Sequence, residues 1–340
     1  MSEEKFFGLQ QHAIGNPQDV ISTIELKIPE LQDDQVLVDL IASPINYGDA
    51  YGIKGMEIEG FNLPTPQFPT LLGGEGTAKI VKTGTGVSNV QISDHVILPL
   101  GSKPWRERFV ISSQGLFPIP KTHELQLSML TVSPQTAYGM LKDFQDLKQG
   151  DWIIQNAANS SVGCCVIGLA KWMGLKTINI VRRNELIETL KSIGADHVVV
   201  DSADVIKKIQ EIEGVGNIKL GLDAVGGKST NKLAAVLSPG GTIVSYGVLE
   251  SQFIQLNAVI LLMKNLSVHG FYTGFWYQKT DPEKQHSLLK KFIELVTQDR
   301  LKVPIEKTYS LRSYKEALTH AIKSGRKGKI VFTGPGYEST

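Results

Sequence analysis

The sequence predicts an α/β protein: a doubly wound parallel sheet joined to a compact β-rich domain. Two observations predict it. The first is the stretch 151–183. It reads as a short apolar strand at 152–154, a loop of small residues at 156–163, an apolar helix at 164–173 stopped by Gly174, and a second strand at 177–181. Strand, tight turn, helix and strand make a β-α-β unit, the nucleotide-binding half of a doubly wound sheet. The second is a change of rhythm. Before residue 124, short strands follow one another with turn residues between them. After residue 183, strands and helices alternate, as a parallel sheet covered on both faces requires.

Taken in order, the β-rich part offers strands at 6–12, 22–28, 36–41, 77–83, 95–98 and 109–112. Three prolines within 60–69 make that segment a surface loop, because proline cannot donate to a central ladder. Residues 125–144 read as helical with a break around Pro134. After the β-α-β unit come a helix at 185–193 closed by Gly194, a strand at 197–200 and a helix at 205–212. A strand at 220–225, a helix at 228–237 and a strand at 241–247 follow, and then a further strand at 266–273. A long amphipathic helix at 282–299, a helix at 314–323 and a last strand at 328–332 complete the chain. By count, the last strand is expected to rejoin the first domain. The domains expected are therefore 125–299, and 1–124 together with 300–340.

The turn in the β-α-β unit is a degenerate glycine fingerprint. Ala158, Ser160 and Gly163 stand where G-x-G-x-x-G would. Small side chains let backbone approach a pyrophosphate, and a helix start offers it free N–H groups and partial positive charge. A tight turn in any α/β core has the same composition, so the loop alone is a weak signal. The end of the second strand sharpens it. A site for NAD carries an acidic residue there for the ribose 2′-hydroxyl, whereas this chain has Arg182, Arg183 and Asn184. Two guanidiniums about 20 residues past the loop suit a 2′-phosphate, and hence NADPH. Arginines that merely solvate a strand end are the plainer alternative.

Composition excludes several classes. Of 340 residues, 41% are hydrophobic and 20% charged, with a formal net charge of +1, so neither nucleic acid nor an acidic surface is expected as a partner. Both cysteines, Cys164 and Cys165, lie on the apolar helix and fit a reduced core. No apolar run approaches the ~20 residues of a membrane span. The opening MSEEKFF resembles neither a secretory signal nor an Arg-rich transit peptide. The expected setting is cytoplasmic.

The whole chain resembles the medium-chain dehydrogenase/reductase superfamily, and within it the trans-2-enoyl thioester reductases, which are related to NADPH:quinone oxidoreductases. The residues that carry the likeness are Ile45-Asn46-x-x-Asp49, Gly73-Gly74-Glu75-Gly76, and the block from Ile154 through Asn156, Ala158 and Ser160 to Gly163. Val225-Gly226-Gly227-Lys228-Ser229, Tyr246-Gly247 and Gly270-Phe271 add to it. The resemblance implies a Rossmann-type NADPH-binding domain and a β-rich GroES-like catalytic domain. It implies that Asn159, Ser160, Ser161 and Val162 contact the pyrophosphate, and that Arg182, Arg183 and Asn184 hold the 2′-phosphate. Tyr246, Gly247, Val248 and Leu249 would line the nicotinamide with Phe271, Tyr272 and Thr273. Ser133 stands where the family has an asparagine, and Lys329 near a family lysine that approaches the cofactor.

Zinc-dependent members need a cysteine where this chain has Asn46 and a histidine where it has Gly74, so no metal is expected. The family's proton-donating tyrosine aligns with Glu57, or with Phe61 if the loop slides, and Tyr47 or Tyr51 is left to supply a phenol. Tyr272 replaces the family tryptophan. The implied activity is NADPH-dependent reduction of the C=C bond of an enoyl thioester or enone, with Asn46, Tyr47 and Tyr272 as candidate catalytic residues. A quinone is the alternative substrate, and a catalytically silent NADPH-binding protein is the reading from another class. A homodimer paired through sheet edges near 252–270 is also expected.

Overall fold

The computed structural model describes residues 5–61 and 66–338; residues 62–65 of the proline-rich loop, and 1–4 of the opening segment, lie outside the described residues. The chain divides into two compact units, Met1–Thr131 with Pro304–Thr340, and Val132–Val303.

The unit Val132–Val303 is built on a parallel sheet. In spatial order its strands are His197–Val200, Lys176–Val181, Trp152–Gln155, Ile218–Asp223, Thr242–Ser245 and Ser267–Gly270. The chain starts at the third of these, runs outward to one edge, and returns to build the other half. The switch point is thus between Trp152–Gln155 and Ile218–Asp223, and ligands of such sheets bind there, beyond the strand C-termini. The central strands are buried along nearly their whole length. Their unbroken apolar runs, such as 177–181, have no polar face because both faces are covered. Beneath them lies a core that includes Ile154, Ile178, Ile180, Ile218, Leu233 and Ile243.

The other unit is antiparallel except where the chain end enters. Lys329–Thr333 lies between Ile305–Ser310, to which it is parallel, and Gln35–Pro44, to which it is antiparallel. Thr77–Thr83, His95–Ile97 and Phe117–Ile119 continue the sheet, and Arg108–Ser112 also pairs with Gln35–Pro44. A smaller sheet joins Ile21–Leu26, Phe6–Gln11 and Thr70–Leu71. Trp105, fully buried, packs edge-on against Phe332 at 5.1 Å between centroids.

Several elements differ from the sequence reading. The strand expected at 266–273 ends at Gly270. Phe271 N–H still donates to Ser245, but the aromatic residues at 271–276 have helical spacing, and Thr273–Lys279 is a helix capped by Tyr272. Residues 47–54, not read as helical, form the helix Tyr47–Lys54 because the Asp49 carboxylate accepts the N–H of its cap residue Asn46 at 2.7 Å. The apolar run Ala258–Met263 is a helix opened by Asn257, whose side chain accepts from Val259 and Ile260 N–H. Pro134 starts a helix, Ser133–Asp143, rather than breaking one, since proline's missing N–H costs nothing in a first turn. The strands Phe117–Ile119 and Ile305–Ser310 were not foreseen.

Candidate active site

In the unit Val132–Val303, the loop after Trp152–Gln155 leads into the 12-residue helix Ser161–Trp172. Ser160 caps it: its Oγ accepts Gly163 N–H at 3.1 Å and its carbonyl accepts Cys164 N–H at 2.9 Å. The N–H groups of Ser161 and Val162 precede the first intrahelical bond, so they face outward with the positive end of the helix dipole. Asn159, Ser160, Ser161 and Val162 are all partly exposed, flanked by buried Ala158 and Gly163. A Cβ on Gly163 would lie 2.5 Å from the Ala158 carbonyl oxygen. Gly163 is what permits this close approach of the helix start to the loop.

The switch point is tied by Asn156. Its Nδ2 donates to Asp223 Oδ1 at 2.6 Å and to Ser229 Oγ at 2.9 Å, and its Oδ1 accepts Ala224 N–H at 2.8 Å. The Tyr246–Leu249 stretch hangs from that same strand end. Tyr246 N–H donates to Asp223 and Leu249 N–H to Ala224, and a Cβ on Gly247 would meet the Ala224 oxygen at 2.8 Å. The Tyr246 hydroxyl is buried without a fully formed hydrogen bond. Burial raises its pKa, and Ser160 is the side chain that opposes the rise. An orphaned phenol beside the capped helix start fits a nucleotide's ribose–phosphate groups. Arg182 is exposed at the end of Lys176–Val181, Arg183 is held by Glu185 at 3.0 Å, and Asn184 opens a short 3-10 turn.

The other residues expected around the nicotinamide lie along the helix Ser133–Asp143 and in the segment that follows Ser267–Gly270. Phe271 lies over Gly139, where a Cβ would be 2.7 Å from its ring. The hydroxyls of Thr273 and Thr136 are 2.5 Å apart, and Ser133 is buried at the start of the same helix as Thr136. Trp276 Nε1 donates to Asp143 at 2.6 Å. Val248 is partly exposed. Tyr272 is 67% exposed, with its ring edge-on to Phe275. Gln135, next to Pro134, is fully buried with both amide atoms unpartnered among the described residues.

In the unit formed by Met1–Thr131 and Pro304–Thr340, a buried polar chain surrounds Asn46. Its Nδ2 donates to Glu75 Oε1 at 2.9 Å, and its Oδ1 accepts from Lys329 Nζ at 2.5 Å. Asn46 and Asp49 form a capping box at the start of Tyr47–Lys54, and the same carboxamide also reaches Glu75 and Lys329. Glu75 is fully buried, and its Oε2 accepts from Thr131 N–H at 3.1 Å and Oγ1 at 2.9 Å. Burial pushes Glu75 up to about 7, against the pull of Asn46, Lys329 and Thr131. Burial likewise pushes Asp49 up to about 6, opposed by the Asn46 N–H and Lys329.

The Gly73-Gly74-Glu75-Gly76 turn is shaped by its surroundings. Gly73 has φ +101° with Trp105 directly against it, and a Cβ on Gly76 would meet the Ala42 carbonyl at 2.7 Å. Tyr47 and Tyr51, one helical turn apart, share a hydrogen bond of 3.0 Å between hydroxyls. Burial and then Tyr51 push Tyr47 up to about 12, which keeps its proton in place at neutral pH. Glu57 and Phe61, the alternatives for the family tyrosine, are both exposed.

A zinc ion does not fit these residues. Asn46 offers a carboxamide already bonded on both sides, Gly74 offers no side chain, and a Cβ there would stand 3.2 Å from Asp49 Oδ1. Among the described residues no three His, Cys, Asp or Glu side chains converge as a ligand set. Glu75 and Thr131 are the residues that sequence reasoning passed over. An acid between glycines behind an apolar run is a signal of a buried carboxylate; Thr131 carries no signal of its own.

Both parts of the chain resemble known proteins. Residues 32–118 match the alcohol dehydrogenase GroES-like domain, and 161–298 match the family described as zinc-binding dehydrogenase. The mitochondrial enoyl-[acyl-carrier-protein] reductase of Rattus norvegicus is 34% identical over 316 residues, covering 91% of this chain and 83% of the rat protein. Among solved structures, the mitochondrial 2-enoyl thioester reductase Etr1p/Etr2p heterodimer from Candida tropicalis superposes with a TM-score of 0.84 at 25% identity, over 97% of this chain and 100% of its own. The Escherichia coli quinone oxidoreductase complexed with NADPH shares the fold, with a TM-score of 0.81 at 21% identity over 96% and 99% of the two chains. The cytoplasmic setting expected from the sequence is overturned by the curated relatives, which are named as mitochondrial enzymes. A short N-terminal stretch without an obvious leader pattern was too little to decide the compartment. No helix among the described residues is long and apolar enough to cross a membrane.

Proposed function

The chain belongs to the medium-chain dehydrogenase/reductase superfamily, in the family of the enoyl-[acyl-carrier-protein] reductases, and from that premise we propose that it reduces the activated C=C bond of a 2-enoyl thioester with NADPH. The observation that carries the reading is the Asn46 carboxamide held between the Glu75 carboxylate and the Lys329 ammonium. It is a preorganised polar array at the position where zinc-dependent members bind their ion.

NADPH, when bound, supplies the hydride for the β-carbon. The first-turn N–H groups of Ser161 and Val162, with Asn159 and Ser160, receive the pyrophosphate, and Arg182, Arg183 and Asn184 hold the 2′-phosphate. Ser133, Tyr246, Gly247, Val248, Leu249, Phe271, Tyr272 and Thr273 line the nicotinamide. Asn46 and Lys329 polarise the thioester carbonyl as negative charge grows on its oxygen. Tyr47, whose hydroxyl donates to Tyr51 at 3.0 Å in the resting site, gives its proton to the α-carbon and is re-protonated from water.

The test is turnover with crotonyl-CoA against a small quinone, NADPH in both. Crotonyl-CoA is the expected substrate, and Tyr47→Phe is expected to lower its kcat about 100-fold, the usual scale of a general acid. An unchanged kcat removes Tyr47 from the role. The quinone reading rests on one observation: no tyrosine stands at the family donor position, where Glu57 and Phe61 are exposed, and a quinone needs no proton on carbon. Preference for the quinone by the wild type would select it.

A homodimer paired through the strand Ser267–Gly270 is part of this reading. That strand ends its sheet, and the nearby helix Ala258–Met263 exposes Val259, Leu262 and Met263. Open edges and apolar surface favour pairing. Sedimentation as a monomer at micromolar concentration would overturn it.

A further inference from the structure

We infer that Glu75 is a positioning residue of the reduction: as an acceptor-only carboxylate it fixes the orientation of the Asn46 carboxamide, and through it the Lys329 ammonium. The inference rests on the enoyl-reductase reading above and adds to it a residue and a pH dependence. The Glu75 carboxylate accepts from Asn46 Nδ2 at Oε1, and from the Thr131 N–H and hydroxyl at Oε2. Its backbone is fixed as well, since its carbonyl accepts from Ser43 Oγ at 2.6 Å. A carboxamide has one acceptor and one donor end. With the donor end on Glu75, the acceptor end must face Lys329, as it does at 2.5 Å.

A proton on Glu75 breaks this logic. On Oε2 it needs the Thr131 hydroxyl to reverse and accept. On Oε1 it needs the Asn46 amide to flip, which turns Nδ2 towards the Lys329 ammonium and sets donor against donor. The charged groups around Glu75 are Asp49, from the helix Tyr47–Lys54, and Lys329, from the strand Lys329–Thr333. Lys329 favours the ionised form and Asp49 opposes it. Burial is the largest influence and leaves the group at about 7. The working form is the carboxylate, present above that value, so activity falls as pH falls through neutrality.

The experiment is the pH profile of kcat/KM for crotonyl-CoA with NADPH from pH 5.5 to 9, in wild type, Glu75→Gln and Thr131→Val, with NADPH affinity measured by fluorescence in each. The wild type is expected to lose activity on the acid side with a midpoint near 7. Glu75→Gln is expected to be slower by about 10- to 100-fold at pH 8, the scale of a lost hydrogen bond to a charged group, to lack the acid limb, and to bind NADPH as the wild type does. Thr131→Val removes a donor that lowers the Glu75 pKa, so its acid midpoint should move up by roughly half a unit to one unit. A purely structural role moves no midpoint. A wild type active on crotonyl-CoA whose midpoint is unmoved by Thr131→Val overturns the inference alone. A wild type inert towards crotonyl-CoA at every pH overturns the enoyl-reductase reading, and the inference with it.

Discussion

Replacing Arg182 and Arg183 together with alanine is expected to raise the KM for NADPH by about 100-fold while leaving that for NADH within about threefold. NADPH differs from NADH only in a 2′-phosphate, and a charge-assisted hydrogen bond to phosphate contributes about 1.5–3 kcal/mol. Two guanidiniums at a partly exposed strand end fall short of the sum, and a net of about 2.7 kcal/mol corresponds to the factor given. Arg183 is already oriented by Glu185 at 3.0 Å, whereas Arg182 is exposed. Steady-state kinetics with both nucleotides decide the matter. An equal rise for both would show that the arginines support the fold of the strand end and do not read the phosphate.

The second large effect is expected at Gly163. Valine there would drive its Cβ to 2.5 Å from the Ala158 carbonyl oxygen, 2.7 Å from its carbon and 2.8 Å from its Cα. All three are backbone atoms, so no side-chain rotation relieves the clash. Overpacking of this kind costs about 1–3 kcal/mol or more, which for a unit of this size lowers Tm by roughly 5–10 °C. The same displacement moves Ser160, Ser161 and Val162, so NADPH affinity should fall further than stability alone explains, about 30-fold or more on the scale of two lost phosphate contacts. Gly52→Ala is the control. Its site in the helix Tyr47–Lys54 has nothing within 4 Å, and alanine there should gain about 0.5–1 kcal/mol. Wild-type NADPH affinity in Gly163→Val would remove the loop from the cofactor site.

The nucleotide-binding architecture was legible because its signals are local. Small residues at 158, 160 and 163, unbroken apolar strands and glycines at helix ends each report on neighbours a few residues away. The helix Tyr47–Lys54 was missed although Asn46 and Asp49 spell a capping box, because the same residues also spell a family motif and were read only as that. The strand expected at 266–273 ran too far because alternating aromatic residues suit strand and helix alike until Trp276 finds Asp143, 133 positions away in sequence. The buried chain at Asn46 was the least legible part. Its members come from residues 46, 75, 131 and 329, and no local pattern states that a threonine hydroxyl and a lysine ammonium converge on one carboxamide and its carboxylate.

That convergence has a consequence for the order in which the molecule can be completed. Asn46 and Lys329 are 283 residues apart in sequence, and Lys329–Thr333 fits between two other strands of its sheet. The chain from Val132 to Val303 is continuous and can close its own sheet as it leaves the ribosome, since domains generally fold as units during synthesis. The strand Gln35–Pro44, which leads into Asn46, lacks its Lys329–Thr333 partner until residues 329–333 have been made. Until then, Glu75 and Asp49 lack the Lys329 ammonium that offsets their burial. Nucleotide binding can therefore mature early, while the reacting array waits until Lys329, 283 positions after Asn46, has been made.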